Sequence, residues 1–189
     1  MSRFGIAVVC TMLLHPDRPY RFRLRISAII GVFVALFARA AVKGPEPIAS
    51  FDLNRYLGTW YEIARMPSRF ERGLDSVTAT YSLRTDGSVK VVNQGSRNGK
   101  RSRAVGRAKF TGRSDVGALR VTFFAPFYAD YTILDLDTAQ YRWAMVASGR
   151  KYLWILSRTP ALDFEIVDSL VNRAAGLGFE TDRLYFTRQ

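Results

Sequence analysis

Side chains that carry out nucleophilic and metal chemistry are nearly absent from this sequence. It contains one cysteine, Cys10, and one histidine, His15. Both precede a predicted export cleavage site after Ala40, so we expect the mature chain to keep neither. Disulfides, Cys–His or Ser–His–Asp nucleophilic sites and the usual zinc, haem and blue-copper ligand sets are then excluded. We therefore expect no metal and no cofactor.

A cluster of basic residues is the second chemically distinctive feature. The turn Arg97–Arg101 carries Asn98-Gly99 at its tip, and Arg103 and Arg107 follow on one face of an alternating segment. The cluster has three interpretations: a solvated hairpin face, a docking surface for anionic lipid head groups, or a nucleic-acid site. Export and the lack of interleaved aromatic residues argue against nucleic acid, and we expect none.

Residues 1–40 have the features of an export signal. Arginines between positions 21 and 25 precede the apolar run Ile26 to Phe37, and Ala38 and Ala40 occupy the positions that determine cleavage. The run is shorter than the roughly 20 residues of a membrane-spanning helix, which argues against a retained anchor. Met12 offers an alternative start of the chain.

The remaining chain is predicted to form one globular domain. Apolar residues make up 48% of the sequence and charged residues 23%, as in ordinary folded domains. The net charge is +12 overall and +7 outside residues 1–40, which favours anionic partners. Glycine and proline in residues 41–50 predict a flexible leader, followed by a domain over residues 51–189.

Short strands with turn residues between them dominate this domain. Residues 101–110 alternate with period two, basic on one face and small or apolar on the other. Thr159 and Pro160 predict the start of a single helix with one apolar face, and a short last strand follows at Leu184–Thr187. The predicted barrel strands are residues 60–65, 77–83, 89–93, 101–110, 119–124, 130–136, 141–147 and 152–157.

Three blocks in order resemble the signatures of the lipocalin family. Gly58–Arg65 resembles the Gly-x-Trp block of the first strand, Asp135–Asp137 with Tyr141 loosely resembles the second block, and Leu156–Pro160 resembles the third. The resemblance implies an all-β fold, an eight-stranded antiparallel up-and-down barrel with one C-terminal helix packed outside. It also implies a bound hydrophobic molecule.

The resemblance is strongest to the bacterial lipocalins, which group with apolipoprotein D and the plant temperature-induced lipocalins. It rests on Phe70–Leu74, Ala79–Leu83, Phe123–Tyr128 and Tyr152–Leu156. Many bacterial members are outer-membrane lipoproteins with a cysteine after the signal. Here Cys10 follows Val8-Val9 and precedes the signal's basic residues, so we expect a periplasmic or secreted form without a lipid anchor.

The family pattern fixes which side chains face the barrel interior. It implies a structural floor made of Gly58, Trp60 and Arg158, with the guanidinium over the indole. Strand alternation then predicts the inward, ligand-facing set, and Phe70 is expected to fold over the mouth. The predicted ligand-binding residues are Glu62, Ala64, Phe70, Val77, Ala79, Tyr81, Val91, Asn93, Ala108, Phe110, Val121, Phe123, Tyr131, Ile133, Tyr152 and Trp154.

These residues favour a binding protein, not an enzyme, that stores or transports a fatty acid or lysophospholipid in the bacterial cell envelope. An inward Glu62 belongs either to an internal polar network or to a ligand contact. Two alternatives stay open. One is a lipid-acting enzyme that uses Glu62, and the other is a protein-interaction scaffold in which Tyr61, Ile63, Tyr141, Trp143 and Met145 form a homodimer surface. For these five side chains we favour a place under the helix or against the last strand over a dimer surface.

Overall fold

The computed structural model describes residues 44–69 and 71–189. The predicted export signal, the beginning of the predicted leader and Phe70 lie outside the described residues. The strands are β1 Gly58–Arg65, β2 Asp75–Leu83, β3 Val89–Arg97, β4 Lys100–Phe110, β5 Ala118–Phe124, β6 Phe127–Leu136, β7 Trp143–Ser148, β8 Tyr152–Ser157 and β9 Tyr185–Phe186. The helices are α1 Leu53–Tyr56 and α2 Phe164–Gly176, with a 3-10 turn at Thr181–Arg183.

The first eight strands close into a barrel. Each of them pairs antiparallel with the next along the chain, and β8 returns to pair with β1. Closure gives each of these strands a neighbour on both sides, which removes the free edges of an open sheet. The predicted eight-stranded barrel with one external C-terminal helix is confirmed.

The two ends of the barrel differ in what covers them. We call the end where β1 begins the floor and the end where β1 finishes the mouth. Because the strands run up and down, the mouth carries the connection from β1 to β2 and three tight hairpins, β3–β4, β5–β6 and β7–β8. The floor carries α1, the last residues of β8 and the loops that precede β3, β5 and β7.

Two apolar clusters hold the domain together. One fills the lower barrel interior around Trp60, Tyr81 and Ile133. The other lies on the outside of the barrel wall, where Leu170 and Ala174 of α2 cover Met145 and Ile155. Helix α2 begins after Asp163 rather than at Thr159, whose hydroxyl donates to the Ala161 carbonyl in a separate turn at 2.6 Å.

The segment before α1 is tied to the barrel. The Ile48 amide donates to the Ile133 carbonyl at 2.9 Å, and the Phe51 amide donates to the Asp115 carbonyl at 2.8 Å. Phe51 is buried in the interior cluster. The sequence predicts a flexible leader through residue 50, whereas its end from Ile48 onward is hydrogen-bonded and packed. Within residues 44–69 and 71–189, no helix is long and apolar enough to span a membrane.

Candidate ligand-binding site in the barrel interior

Most of the predicted inward side chains line the interior. Strand pairing places Asn93 beside Ala79 and Ala104, and Val121 beside Ala108 and Ala129. Val77 lies against Gly95 near the mouth, and Phe123 packs its ring over Gly106. Predicted residues that belong to the interior cluster or pack against it are Ala79, Tyr81, Val91, Ala108, Phe110, Val121, Tyr131, Ile133 and Trp154.

A β-bulge in β1 overturns one prediction. Glu62 pairs with Leu156, but Ala64 pairs with Ile155, so the register shifts between them. A bulge inserts one extra residue and reverses the facing of every residue after it. Ala64 therefore lies under helix α2 in the outer cluster, and its predicted place on the ligand-facing wall is wrong. Arg65, which simple alternation directs outward, pairs with Trp154 of the inner face instead.

The floor is closed by the stacked pair Trp60 and Arg158. The guanidinium carbon of Arg158 lies 3.9 Å from the centre of the indole ring. Its nitrogens donate to the carbonyls of Thr59 at 3.0 Å and Arg55 at 2.7 Å. Gly58 has a φ of 96°, and a side chain there would meet the guanidinium at 3.2 Å. This arrangement ties the start of β1 to the end of β8.

Three tyrosines form a buried hydroxyl cluster above the floor. The Tyr131 hydroxyl lies 2.7 Å from that of Tyr56 and 2.8 Å from that of Tyr81. Burial raises the pKa of all three phenols, to about 12 for Tyr81. The cavity beside them has room for about one water molecule. It is lined by Phe51, Leu53, Tyr56, Tyr81, Val89, Val91, Ala108, Leu119 and Tyr131.

Glu62 belongs to an internal polar network. Its carboxylate forms a buried ion pair with Arg65 and accepts a hydrogen bond from the Thr187 hydroxyl at 2.6 Å. Burial raises the pKa of Glu62, and the bond from Thr187 and the charge of Arg65 partly offset that rise. The Gln189 amide donates to the Glu62 and Val77 carbonyls, which bridges β1 and β2 where their own pairing has ended.

A latch holds the mouth loop against the barrel wall. Arg65 donates to the Glu71 carbonyl at 2.7 Å and to the Leu74 carbonyl at 3.1 Å. The Glu71 carboxylate accepts from the Trp154 indole at 3.1 Å and from the Ser68 hydroxyl at 2.7 Å. Tyr152 stacks on Trp154 with ring centres 6.1 Å apart. These contacts couple Ser68 and Glu71 to the inner face of β8.

The upper half of the interior stays accessible to solvent. Ala104 and Ala129 face inward by their pairing and are exposed, while Val121, which pairs with Ala129, is only half-buried. The side-chain oxygen of Asn93 is buried and accepts no hydrogen bond from any described residue. Small side chains and one unpaired acceptor thus surround the accessible space.

The side chains of the alternative scaffold surface are mostly covered by other parts of the domain. Met145 is fully buried beneath α2, and Trp143 and Ile63 pack against the same outer cluster. Tyr141 belongs to the floor, where its hydroxyl accepts from the Asp52 amide at 2.9 Å. Ile63, Trp143 and Met145 thus lie under the helix, which is the expected alternative to a dimer surface, whereas Tyr141 is covered at the floor instead.

Several residues of the site carry no signal in the sequence pattern. Tyr56 and Phe51 precede the first strand, and Arg65 faces inward only because of the bulge. Thr187 joins the site through the pairing of β9 with β1. The run Glu71-Arg72-Gly73 marks a loop, and nothing in its spacing indicates that Glu71 reaches Trp154.

The chain matches known proteins over nearly all of the described residues. Residues 51–189 match the family model of the lipocalin-like domain. The chain is 44% identical over 175 residues to the outer membrane lipoprotein Blc of Citrobacter freundii, covering 88% of this chain and 98% of that protein. It is 38% identical over 158 residues to temperature-induced lipocalin-1 of Arabidopsis thaliana, covering 78% of this chain and 84% of that protein.

Among solved structures, the fold is similar to that of insecticyanin from the tobacco hornworm Manduca sexta. The TM-score is 0.65 at 21% identity, covering 78% of this chain and 85% of the other. The expected resemblance to the bacterial lipocalins is confirmed.

Proposed function

The chain belongs to the lipocalin family, and from this premise we propose that it binds a hydrophobic small molecule in the upper half of its barrel. The ligand class we propose is a single acyl chain with a polar end, as in a fatty acid or a lysophospholipid. The place we propose is the cell envelope, in line with the printed name of the Blc relatives.

The accessible upper interior is the observation that carries this proposal. Ala104, Val121 and Ala129 leave space between β3 and β6, and Phe123 and Trp154 supply aromatic walls. Eight-stranded barrels either fill with side chains or hold one small ligand. Each buried methylene contributes about 0.8 kcal/mol, so an acyl chain of ordinary length suffices for micromolar binding after ordering costs.

A polar end of the ligand has two groups to meet. The Asn93 side-chain oxygen needs a donor, and the mouth carries the basic hairpin turns. A lysophospholipid or protonated fatty acid can donate to Asn93, whereas an ionised head group is better placed at the basic rim. Replacing Asn93 with Leu separates the two arrangements, because it weakens only a ligand that donates to this residue.

Displacement of a fluorescent fatty acid tests the proposal. In Ala104→Trp a large side chain enters the accessible space, and we expect binding to fall by at least about tenfold, as for a blocked pocket. Val105→Trp is the matched control, because Val105 is the next residue, points outward and is 45% exposed. Equal affinity of the two variants would contradict binding in the lumen.

An enzymatic role through Glu62 is not what we propose. Its carboxylate is engaged by Arg65 and Thr187, and a general acid or base needs freedom to exchange a proton with substrate. Lysophospholipid turnover that disappears in Glu62→Gln would contradict this view.

A further inference from the structure

We propose that the mouth of the barrel docks on an anionic membrane surface. The tip of the β5–β6 hairpin enters the acyl region, and the basic turns on either side of it contact the head groups. This inference goes beyond ligand binding, because it concerns the outer surface at the mouth and a lipid bilayer, not a single molecule in the lumen.

The β5–β6 hairpin exposes aromatic side chains in one place. Phe124 is 81% exposed and Phe127 75% exposed, and the two pair across the turn. Phe123 and Tyr128 flank them and are each nearly half exposed. Single exposed apolar residues are ordinary on protein surfaces, but a contiguous patch of this kind indicates an interaction site.

Two basic hairpin turns lie on the same end of the barrel. The β3–β4 turn carries Lys100 and Arg101, and the β7–β8 turn carries Arg150 and Lys151, all exposed. Arg120 lies on β5 itself, with its guanidinium 5.5 Å from the centre of the Tyr128 ring. An anionic lipid surface attracts exposed lysine and arginine side chains of this kind.

The acidic residues near the mouth are mostly engaged. Glu71 accepts from Trp154 and Ser68, and Asp75 pairs with Arg188. Asp130 lies opposite Arg120 in the β5–β6 pairing. The rim therefore keeps a positive balance around the aromatic tip, which matches phosphate-rich head groups. A second copy of the chain fits less well, because face-to-face contact would bring the same basic turns together.

The patch also leads into the barrel. Phe123 extends the aromatic tip inward, and its ring packs over Gly106 on the inner face of β4. A docked protein would thus hold its lumen entrance against the bilayer, with the latch contacts of Ser68 and Glu71 beside it. An acyl chain could then pass between bilayer and lumen without crossing water.

Vesicle sedimentation with the full chain tests the docking surface. The vesicles are an equimolar mixture of phosphatidylcholine and phosphatidylglycerol, with pure phosphatidylcholine for comparison. We expect Phe124→Ser/Phe127→Ser to lower binding to the mixed vesicles by about 100-fold, because two phenyl rings no longer enter the acyl region of the bilayer. The control Leu83→Ser/Phe164→Ser removes two exposed apolar side chains elsewhere, 53% and 76% exposed, and should bind like wild type.

Charge reversal tests the basic turns separately. We expect Lys100→Glu/Arg101→Glu to lower binding to the mixed vesicles by at least about tenfold, and high salt to abolish the difference. Arg84→Glu/Arg113→Glu carries the same change in charge in two loops at the floor, where both side chains are exposed, and should bind like wild type.

Three results would overturn the proposal. They are vesicle binding that is unchanged in Phe124→Ser/Phe127→Ser, equal binding to neutral and anionic vesicles, and a wild-type dimer in sedimentation velocity that this variant converts to monomer. The last result would assign the patch to self-association. Ala104→Trp should lose the fluorescent fatty acid but keep vesicle binding, so failure of ligand binding and failure of docking are distinguishable.

Discussion

Aromatic and basic residues occur at both ends of the barrel, but they are buried or hydrogen-bonded at the floor and exposed at the mouth. At the floor, Trp60 and Arg158 are stacked, buried or bonded to backbone carbonyls. At the mouth, Phe124 and Phe127 are 81% and 75% exposed, and the basic residues Lys100, Arg101, Arg150 and Lys151 of the hairpin turns are exposed as well. An aromatic ring beside a cation thus stabilises the fold where water is excluded and offers a binding surface where it is not.

The largest expected effect is a difference in stability between losing an aromatic side chain at the floor and losing one at the mouth. Trp60→Ala removes a fully buried indole and should lower the free energy of unfolding by about 3–5 kcal/mol. Phe124→Ala removes an equally apolar but exposed ring and should change it by less than about 0.5 kcal/mol. Urea denaturation of both variants measures the contrast, and comparable losses would show that the tip is part of the folded core.

The tyrosine cluster should give the next largest effect. Tyr131→Phe leaves the hydroxyls of Tyr56 and Tyr81 buried without their partner. Each unpaired buried hydroxyl costs about 1–3 kcal/mol, and urea denaturation should show a loss in that range or above it. Tyr128→Phe at the mouth is the control, since its ring is nearly half exposed. Identical stabilities would mean that water replaces the lost hydroxyl.

Alkaline pH should destabilise the domain through the buried tyrosines above the floor. Burial raises the pKa of Tyr81 to about 12, above the value of roughly 10 expected in the unfolded chain. The neutral phenol therefore contributes stability that is fully present below pH ~10 and is lost as pH rises through ~12. We expect the unfolding free energy to fall across that window, and less steeply in Tyr81→Phe. An equal slope in both proteins would contradict the raised pKa.

The smallest expected effect concerns the latch. Glu71→Gln weakens the bonds from Trp154 and Ser68, but the Arg65 bonds to the loop carbonyls remain. We expect a loss of stability below about 1 kcal/mol. The dissociation rate of a fluorescent fatty acid, measured by stopped flow, should rise several-fold. Ser68→Ala removes the bond to the Glu71 carboxylate and also the bond that the Ser68 hydroxyl accepts from the Glu71 amide at 3.1 Å, but it keeps the bond from Trp154. We expect the dissociation rate to rise in this variant as well. Unchanged rates in both variants would show that these contacts do not retain the ligand.

The sequence predicted the barrel because strand alternation and turn residues are local signals. Trp60, Tyr81, Ala108 and Trp154 all lie on the interior face that alternation assigns to them. Ala64 does not, because the bulge after Glu62 shifts the register and no glycine or proline marks it. Alternation carries no information about an inserted residue, so it could not predict the inward position of Arg65 either.

Contacts between distant segments explain the other differences. Tyr56 reaches the site from the segment before β1. Thr187, directly after β9, contacts Glu62 from well over a hundred residues along the chain. The predicted helix start failed for a local reason. The Thr159 hydroxyl is bonded within its own turn to the Ala161 carbonyl, and α2 begins only at Phe164.

The native mass of the purified protein, before and after addition of a lysophospholipid, tests the central claim most directly. We expect one bound lipid per chain in wild type and in Val105→Trp, and none in Ala104→Trp. No added mass in wild type, with that lipid or with a fatty acid, would contradict a ligand-binding lumen. An added mass that persists in Ala104→Trp would place the lipid outside the barrel.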